Sequence, residues 1–81
     1  PLLFKARCMS PLRKKPGRVE YQRGVIERDD QGELVVHSTG SQGSAILRSM
    51  SAANCFIVLP TDWGRVEPGT LVDVQPFFGL V

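Results

Sequence analysis

Arg23 is the residue of this sequence whose type and position most directly suggest chemistry. It lies in register with Val19, Tyr21 and Val25, on one face of a strand expected to span 18–28. We expect that face to be mostly dry, and an unpaired buried cation is costly. The guanidinium must therefore reach the rim of the fold or meet a fixed anion. The structural alternative is an internal ion pair, for which the candidate partners are Glu20, Glu27 and Asp73.

A second candidate is the polar segment 39–44, which contains two glycines and three hydroxyl residues. Glycines let the backbone approach a ligand closely, and several N–H and O–H donors suit phosphate or another oxyanion. An ordinary surface loop has the same composition, and the segment lacks the Gly-Lys-Ser/Thr sequence of a P-loop. Taken alone, it is a weak indication of anion binding.

Cys8, Cys55 and His37 are the residues that could act as nucleophiles or hold a metal. Two cysteines are too few for a disulfide framework, and with a single histidine they lack the spacing of a zinc site. A Cys–His nucleophilic pair would need a third, orienting group that the sequence does not indicate. We therefore predict reduced, partly buried thiols, an exposed or capped strand histidine and no metal site.

Two further residues have structural interpretations. Asn54 tolerates left-handed backbone angles and is predicted to end a helical turn. Trp63 is predicted to cover the core rather than to stack on bases, because readers of single-stranded nucleic acid combine several exposed aromatics with cations. This chain has six aromatic residues, and four of them are Phe in apolar contexts.

Charge is distributed unevenly along the 81 residues. Residues 1–23 hold seven basic side chains against one acid, whereas the remaining 58 residues hold three against seven. This asymmetry predicts a cationic face and an anionic partner such as phosphate, nucleic acid or a membrane surface. The alternative is a solvated loop around residues 13–15.

The elements that must position these residues are short strands. The length allows one domain, 1–81, with a thin core, which excludes a nucleotide-binding domain joined to a substrate domain. Pro and Gly interrupt the chain often, and no window has a helical apolar stripe. Strands are predicted at 3–9, 18–28, 33–38, 55–59 and 70–75, with a hairpin turn at 29–32 and an ambiguous helical stretch at 45–54. The fold class is all-β, as a small bent ribbon (β-clip-like) or a partly open barrel of short antiparallel strands.

Hydrophobic alternation predicts which strand faces are buried. Val72 and Val74 should point inward, and the apolar runs 34–36 and 56–59 should be covered on both sides. Gly24 is predicted to mark a bulge or a sharp bend in the longest strand. The start at Pro1, without a methionine and close to the first predicted strand, suggests a piece of a larger protein.

Several short motifs occur in an order that resembles one family. They are Pro-Gly-Arg at 16–18, Tyr-Gln-Arg-Gly at 21–24, Gly-Ser-Gln-Gly-Ser at 40–44, Ala-Asn-Cys-Phe-Ile-Val-Leu-Pro at 53–60 and Glu-Pro-Gly at 67–69 before a Val-x-Val strand. Together they resemble the C-terminal domain of the MoeA family of molybdopterin molybdenumtransferases, a domain that gephyrin shares. The resemblance covers nearly the whole chain.

The resemblance implies the substrate-cleft domain of a cytoplasmic, homodimeric enzyme that inserts molybdate into adenylylated molybdopterin and releases AMP. Mg²⁺ and molybdate would be bound mainly by other domains, and no membrane or nucleic acid partner is expected. By motif position, Arg23 would hold an oxyanion or phosphate and Ser44 would donate a hydrogen bond to it. Gln42, Gly43 and Arg18 are expected to bind substrate. The isolated domain is expected to be inactive.

Two other functions remain open at this point. The cationic first third could bind an RNA backbone as a small β-barrel module, although exposed aromatics are scarce and the remainder is acidic. The relationship to gephyrin also allows a protein-interaction or scaffold role.

Overall fold

The computed structural model describes residues 3–39 and 53–77, and within these ranges the chain forms five β-strands. They are β1 (Phe4–Cys8), β2 (Glu20–Arg28), β3 (Leu34–Ser38), β4 (Cys55–Leu59) and β5 (Leu71–Pro76). The strands form a closed barrel in the order β1-β3-β2-β4-β5, and β5 pairs with β1. The prediction of a small all-β fold is confirmed. The barrel is closed rather than partly open, and β1 runs parallel to β3 while the other pairings are antiparallel.

The interior of the barrel is apolar and dry. Its fully buried side chains come from β1, β3, β4 and β5 and are Ile57, Leu59, Val36, Val72, Val74, Cys8 and Cys55. Val72 and Val74 point inward as the alternation predicts, while Asp73 between them lies outside and pairs with Lys5 at 2.8 Å. Phe56 and Val58 on the outer side of β4 are half-buried, so this strand is only partly covered on its second face.

The inner face of β2 is not the one that the sequence predicts. Val19 and Tyr21 are exposed, whereas Gly24 and Ile26 on the opposite face are buried. Gly24 has no side chain and therefore does not count as an apolar residue. For this reason the sequence pattern underestimates how deeply the face of β2 that contains Gly24 and Ile26 is buried. A Cβ at Gly24 would lie 2.9 Å from the His37 carbonyl oxygen and 3.0 Å from both Ile57 Cδ1 and Val36 Cγ2.

No residue is inserted at Gly24, so the bulge that the sequence suggests is absent. Gly24 is paired with Ser38 on β3 and with Cys55 on β4, in registers that run without a break. At this point β2 exchanges one neighbour for the other: Glu20 to Gly24 pair with β4, and Gly24 to Arg28 pair with β3. Gly24 is therefore the position at which β2 passes from its pairing with β4 to its pairing with β3.

The hairpin turn between β2 and β3 forms as the sequence predicts. Gly32 adopts a φ of 83° and donates its N–H to the carbonyl of Asp29 at 3.0 Å. The Asp29 carboxylate also accepts the N–H groups of Gln31 and Glu33, both at 2.9 Å. This local network fixes the register of the β2–β3 pair.

Asn54 extends the hydrogen bonding of the barrel through its side chain. Its side-chain oxygen accepts the Ile26 N–H at 2.8 Å, and its amide donates to the Ile26 carbonyl at 3.1 Å, as a strand backbone would. Its own N–H donates to the Gly24 carbonyl at 3.0 Å. Most of the helical stretch predicted at 45–54 lies outside the described residues. Within the described ranges, no helix is long and apolar enough to cross a membrane.

Candidate anion-binding groove

An open groove of about 1470 Å³ lies between the loop 11–18, the first half of β2 and the chain that leaves β3. Its lining carries five basic side chains that are exposed to solvent: Arg13, Lys15, Arg18, Arg23 and Arg65. Lys14 also lines the groove but is buried, and Glu20 is the only acidic residue in this lining. The clustering of basic side chains makes this surface strongly attractive to anions.

The loop 11–18 is held in place by backbone contacts with the loop that follows β4. Leu12 and Val66 form an isolated antiparallel bridge, with N–H to carbonyl distances of 2.9 and 3.0 Å. Gly17 donates its N–H to the Thr61 carbonyl at 2.7 Å. Both Leu12 and Val66 are buried, so the bridge also seals the core at this point. The basic loop is thus an ordered wall of the groove, not the freely solvated segment that its composition allows.

Gln22 attaches the same loop to β2. Its side-chain amide donates to the Arg13 carbonyl at 3.0 Å and to the Glu20 carboxylate at 2.7 Å. This hydrogen bond comes from a neutral amide and leaves the negative charge of Glu20 in place. Among the described residues, the lining therefore carries five exposed positive charges against one negative charge, and Arg65 also pairs with Glu67 at 3.3 Å.

Arg23 lies on the outside of the barrel, at the edge of the groove, and is exposed. The expectation that it lies on a dry face is wrong, because the inner face of β2 is the opposite one. None of its candidate partners is paired with it. Asp73 is paired with Lys5 at 2.8 Å, Glu27 lies 3.4 Å from His37, and Glu20 accepts from Gln22.

The segment predicted to bind an oxyanion leaves the barrel next to Arg23. Thr39 lines the groove, and both its N–H and its hydroxyl lie 3.3 Å from the Arg23 carbonyl oxygen. Gln42, Gly43 and Ser44 lie outside the described residues. Arg18, the remaining predicted site residue, is exposed in the same groove. The structure therefore brings Arg18, Arg23 and the base of the polar segment together.

Comparison with known proteins identifies the chain. A family model of the MoeA C-terminal region (domain IV) matches residues 5–77. The chain therefore belongs to the MoeA domain IV family. Across its full length it is 39% identical to a molybdopterin molybdenumtransferase of Haemophilus influenzae and covers 20% of that protein.

Other relatives agree with this assignment. The chain is 37% identical over 76 residues to molybdopterin molybdenumtransferase 1 of Mycobacterium tuberculosis, which is 89% of the chain and 18% of that protein. It is 46% identical over 56 residues to gephyrin of Dictyostelium discoideum, covering 68% of the chain and 8% of gephyrin. The chain thus spans about a fifth or less of the curated relatives that it matches.

The fold of this MoeA domain also matches a solved structure. The crystal structure of the molybdopterin biosynthesis moeA protein from Pyrococcus horikoshii OT3 superposes with a TM-score of 0.67 at 24% identity, covering 94% of this chain and 18% of that one. At this identity the likeness establishes the fold alone. The resemblance inferred from the short motifs is confirmed.

The thiols of the MoeA domain are part of its core. Cys8 and Cys55 are free and fully buried. Burial raises the pKa of the Cys55 thiol to about 11 and also raises the pKa of Cys8, whose Sγ donates to the Ser10 carbonyl at 3.2 Å. A thiol with a raised pKa is a poor nucleophile, so neither cysteine is a candidate for catalysis.

An aromatic cluster beside Arg23 was not expected from the sequence. Tyr21 is 57% exposed, its ring meets Phe56 edge-on at 6.0 Å, and Phe56 meets Phe77 at 4.8 Å. The Arg23 guanidinium lies 6.0 Å from the centre of the Phe77 ring. These residues come from β2, from β4 and from the position directly after β5, which a single-sequence pattern cannot place side by side. Trp63 packs against the core, as predicted.

Proposed function

We propose that this chain is the C-terminal, substrate-cleft domain of a molybdopterin molybdenumtransferase. In this proposal the longer enzyme inserts molybdate into adenylylated molybdopterin and releases AMP. The observation that carries the proposal is the groove, to whose lining the described residues contribute five exposed basic side chains and one acidic residue, Glu20. Molybdate and the phosphate groups of the nucleotide are anions, which such a groove attracts and concentrates.

Arg23 is the residue that we propose binds the oxyanion. Within the described residues it has no carboxylate within 4.0 Å, so its planar fork of donors is available for a bidentate contact with an oxyanion. Arg18 lines the same groove and would add a second cation. Ser44 would donate a hydrogen bond to the same ligand, supported by Gln42 and Gly43.

Magnesium does not fit the described part of this chain. In residues 3–39 and 53–77 no three His, Cys, Asp or Glu side chains come together as metal ligands. Mg²⁺ prefers several oxygen ligands, usually carboxylates together with substrate phosphates. We therefore propose that other domains of the longer protein bind it. We further propose that the longer protein is a cytoplasmic homodimer and that these 81 residues alone do not insert molybdate.

The proposal is tested by molybdate insertion in the full-length enzyme. Arg23→Ala should reduce the rate sharply, and Arg23→Lys should restore it only in part, because an ammonium lacks the planar fork. Ser44→Ala should have a smaller effect, equivalent to one hydrogen bond to a charged group, about 1.5–3 kcal/mol. The matched control is Arg28→Ala, which removes an exposed arginine from the far end of the same strand, where its guanidinium donates to the Gly32 carbonyl at 2.7 Å. A normal rate in Arg23→Ala, or an equal loss in Arg28→Ala, would contradict the proposed role.

RNA binding is the second candidate, and the exposed Tyr21 beside Arg23 favours it. A base could stack on an exposed aromatic ring while the groove holds the phosphate backbone. If this were the function, the chain would bind generic RNA at physiological ionic strength, with affinity falling steeply as salt rises. Tyr21→Ala would then weaken RNA binding and leave molybdate insertion unchanged.

A further inference from the structure

Lys14 is the only charged residue that is buried in the described part of the chain, at 8% exposure. Its ammonium donates to three backbone carbonyls, those of Lys15 at 3.1 Å, Trp63 at 3.0 Å and Thr61 at 3.5 Å. A lysine ammonium has three N–H donors, so all its hydrogen-bonding capacity is used. The Lys14 side chain is held in one position by carbonyl groups of two loops, the loop 11–18 and the loop that follows β4.

The positive charge of Lys14 has no acidic partner. Within the described residues, no carboxylate lies within 4.0 Å of its Nζ. Carbonyl dipoles solvate an ammonium but leave its unit charge in place, and a partly buried charge is screened by solvent less than an exposed one. Lys14 therefore supplies a fixed positive charge in the wall of the groove.

The hydrogen bonds of Lys14 also fix the position of the basic loop. Two of the three carbonyls belong to the loop after β4, and the Thr61 carbonyl additionally accepts the N–H of Gly17 at 2.7 Å. On the other side, Gln22 of β2 holds the Arg13 carbonyl at 3.0 Å. Besides the Leu12–Val66 bridge and the Gly17 N–H, two side chains thus tether the loop that carries Arg13, Lys15 and Arg18, and the Gln22 tether is attached to the strand of Arg23.

We propose that Lys14 is a positioning residue for the anion in this groove, acting together with Gln22. It sets the distance between the cations of the loop and Arg23, and its buried charge adds to the attraction that they exert. This inference rests on the proposed function, because the ligand is taken to be molybdate or a phosphate group.

The test measures the KM for molybdate in the full-length enzyme. Lys14→Met keeps an unbranched side chain, one atom shorter, but removes both the charge and the three hydrogen bonds. It should raise the KM about tenfold with kcat within about twofold. Lys15→Met is the matched control, since it removes one exposed charge from the same groove and keeps the tether. It should raise the KM by about twofold, as expected for a solvent-screened charge. Gln22→Met removes the other tether without changing charge and should raise the KM about threefold.

Each result of this comparison decides the proposal. Suppose that folded Lys14→Met has an unchanged KM and that only the yield of folded, active enzyme falls. Lys14 would then have a purely structural role, and the inference would be overturned. If Lys14→Met raises the KM by the same factor as Lys15→Met, the two lysines contribute only their charge. That result would overturn the positioning role of Lys14. If Lys14→Met does not fold, Gln22→Met decides, and an unchanged KM in that variant overturns the proposal.

A second measurement separates this inference from the proposed function. Sodium molybdate should slow deuterium uptake across 10–18 in the full-length wild-type protein and in Lys15→Met, but not in Lys14→Met, while uptake in β5 stays the same in all three. If the wild-type enzyme binds molybdate in this way but does not insert it, the proposed reaction is wrong and Lys14 keeps its positioning role. Equal protection of 10–18 in Lys14→Met and Lys15→Met overturns the role of Lys14.

Discussion

The barrel interior and the cationic groove differ in the kind of side chain they contain. Inside, β4 and β5 contribute Ile57, Leu59, Val72 and Val74, which are fully buried and apolar. In the groove, four of the five exposed basic side chains have no carboxylate within 4.0 Å among the described residues, and the buried lysine donates to backbone carbonyls alone. Of the described core residues only Leu12 also lines the groove, so the exposed groove residues can be optimised for a ligand at little cost in stability.

The chain order explains how this separation arises. Of the seven basic residues in 1–23, five lie in the groove, namely Arg13, Lys14, Lys15, Arg18 and Arg23. Among the described residues only one acid, Glu20, lines the groove. Asp73 pairs with Lys5 on the outside of the barrel, and Glu67 pairs at 3.3 Å with Arg65, whose own side chain lines the groove. The excess of basic residues in the first third of the sequence thus becomes an excess of positive charge on one side of the barrel, in the groove.

The largest effect should come from the interior. Ile57→Ala removes a fully buried side chain from β4 and should reduce the free energy of unfolding of this chain by about 2–5 kcal/mol. Urea denaturation measures the change. The control is Leu71→Ala on β5, which is 50% exposed and should cost less than about 0.5 kcal/mol. Similar losses in the two variants would mean that the barrel interior is not the source of stability.

A smaller loss is expected at Gly24, where β2 passes from its pairing with β4 to its pairing with β3. Gly24→Ala places a Cβ 2.9 Å from the His37 carbonyl oxygen and should destabilise the chain by about 1–3 kcal/mol. Gly64→Ala is the control, because its nearest neighbour would be 3.9 Å away. Equal melting temperatures for the two variants would show that β2 does not approach its neighbours closely at Gly24.

The stability of the interior should also respond to alkaline pH. The Cys55 thiol has a pKa of about 11 in the folded chain and an ordinary value of 9.0 when exposed, because burial disfavours the thiolate. The folded pKa is raised, so the contribution to stability is complete below pH 9 and is lost as pH rises toward 11. Measured between these values, the unfolding free energy should fall more steeply in the wild type than in Cys55→Ala. Parallel slopes would contradict the burial of this thiol.

The barrel could be predicted from the sequence because its strands obey local rules. The turn at Asp29–Gly32 and the alternation of Val72 and Val74 each identify an element without knowledge of its neighbours. Strand bounds differ from the prediction by at most two residues at each end. The closure of the barrel and the parallel β1–β3 pair depend on contacts between distant segments, and these leave no periodic signal in the sequence.

The groove could be predicted only in part. The basic residues of the first third and the candidate Arg23 were identified by charge and motif, but the side of β2 on which Arg23 lies was not. Val19 and Tyr21 are apolar or aromatic although they lie on the outer face of β2, so this face resembles a buried one in the sequence. Gly24 lies on the inner face but has no side chain, so it adds no apolar signal there. Lys14 appeared as one of three equivalent cations at 13–15, since its burial depends on carbonyls at Thr61 and Trp63, far away along the chain.

The most direct test of this separation measures two properties of two variants side by side. Arg23→Ala alters the groove, and Ile57→Val removes one methylene from the interior; each is measured for unfolding free energy in this chain and for molybdate insertion in the full-length enzyme. We predict that Arg23→Ala changes stability by less than about 1 kcal/mol while its insertion rate falls sharply. Ile57→Val should lose about 0.5–1.5 kcal/mol while its rate per folded molecule stays unchanged. A destabilised Arg23→Ala with a normal rate, or a slow but fully folded Ile57→Val, would contradict the account.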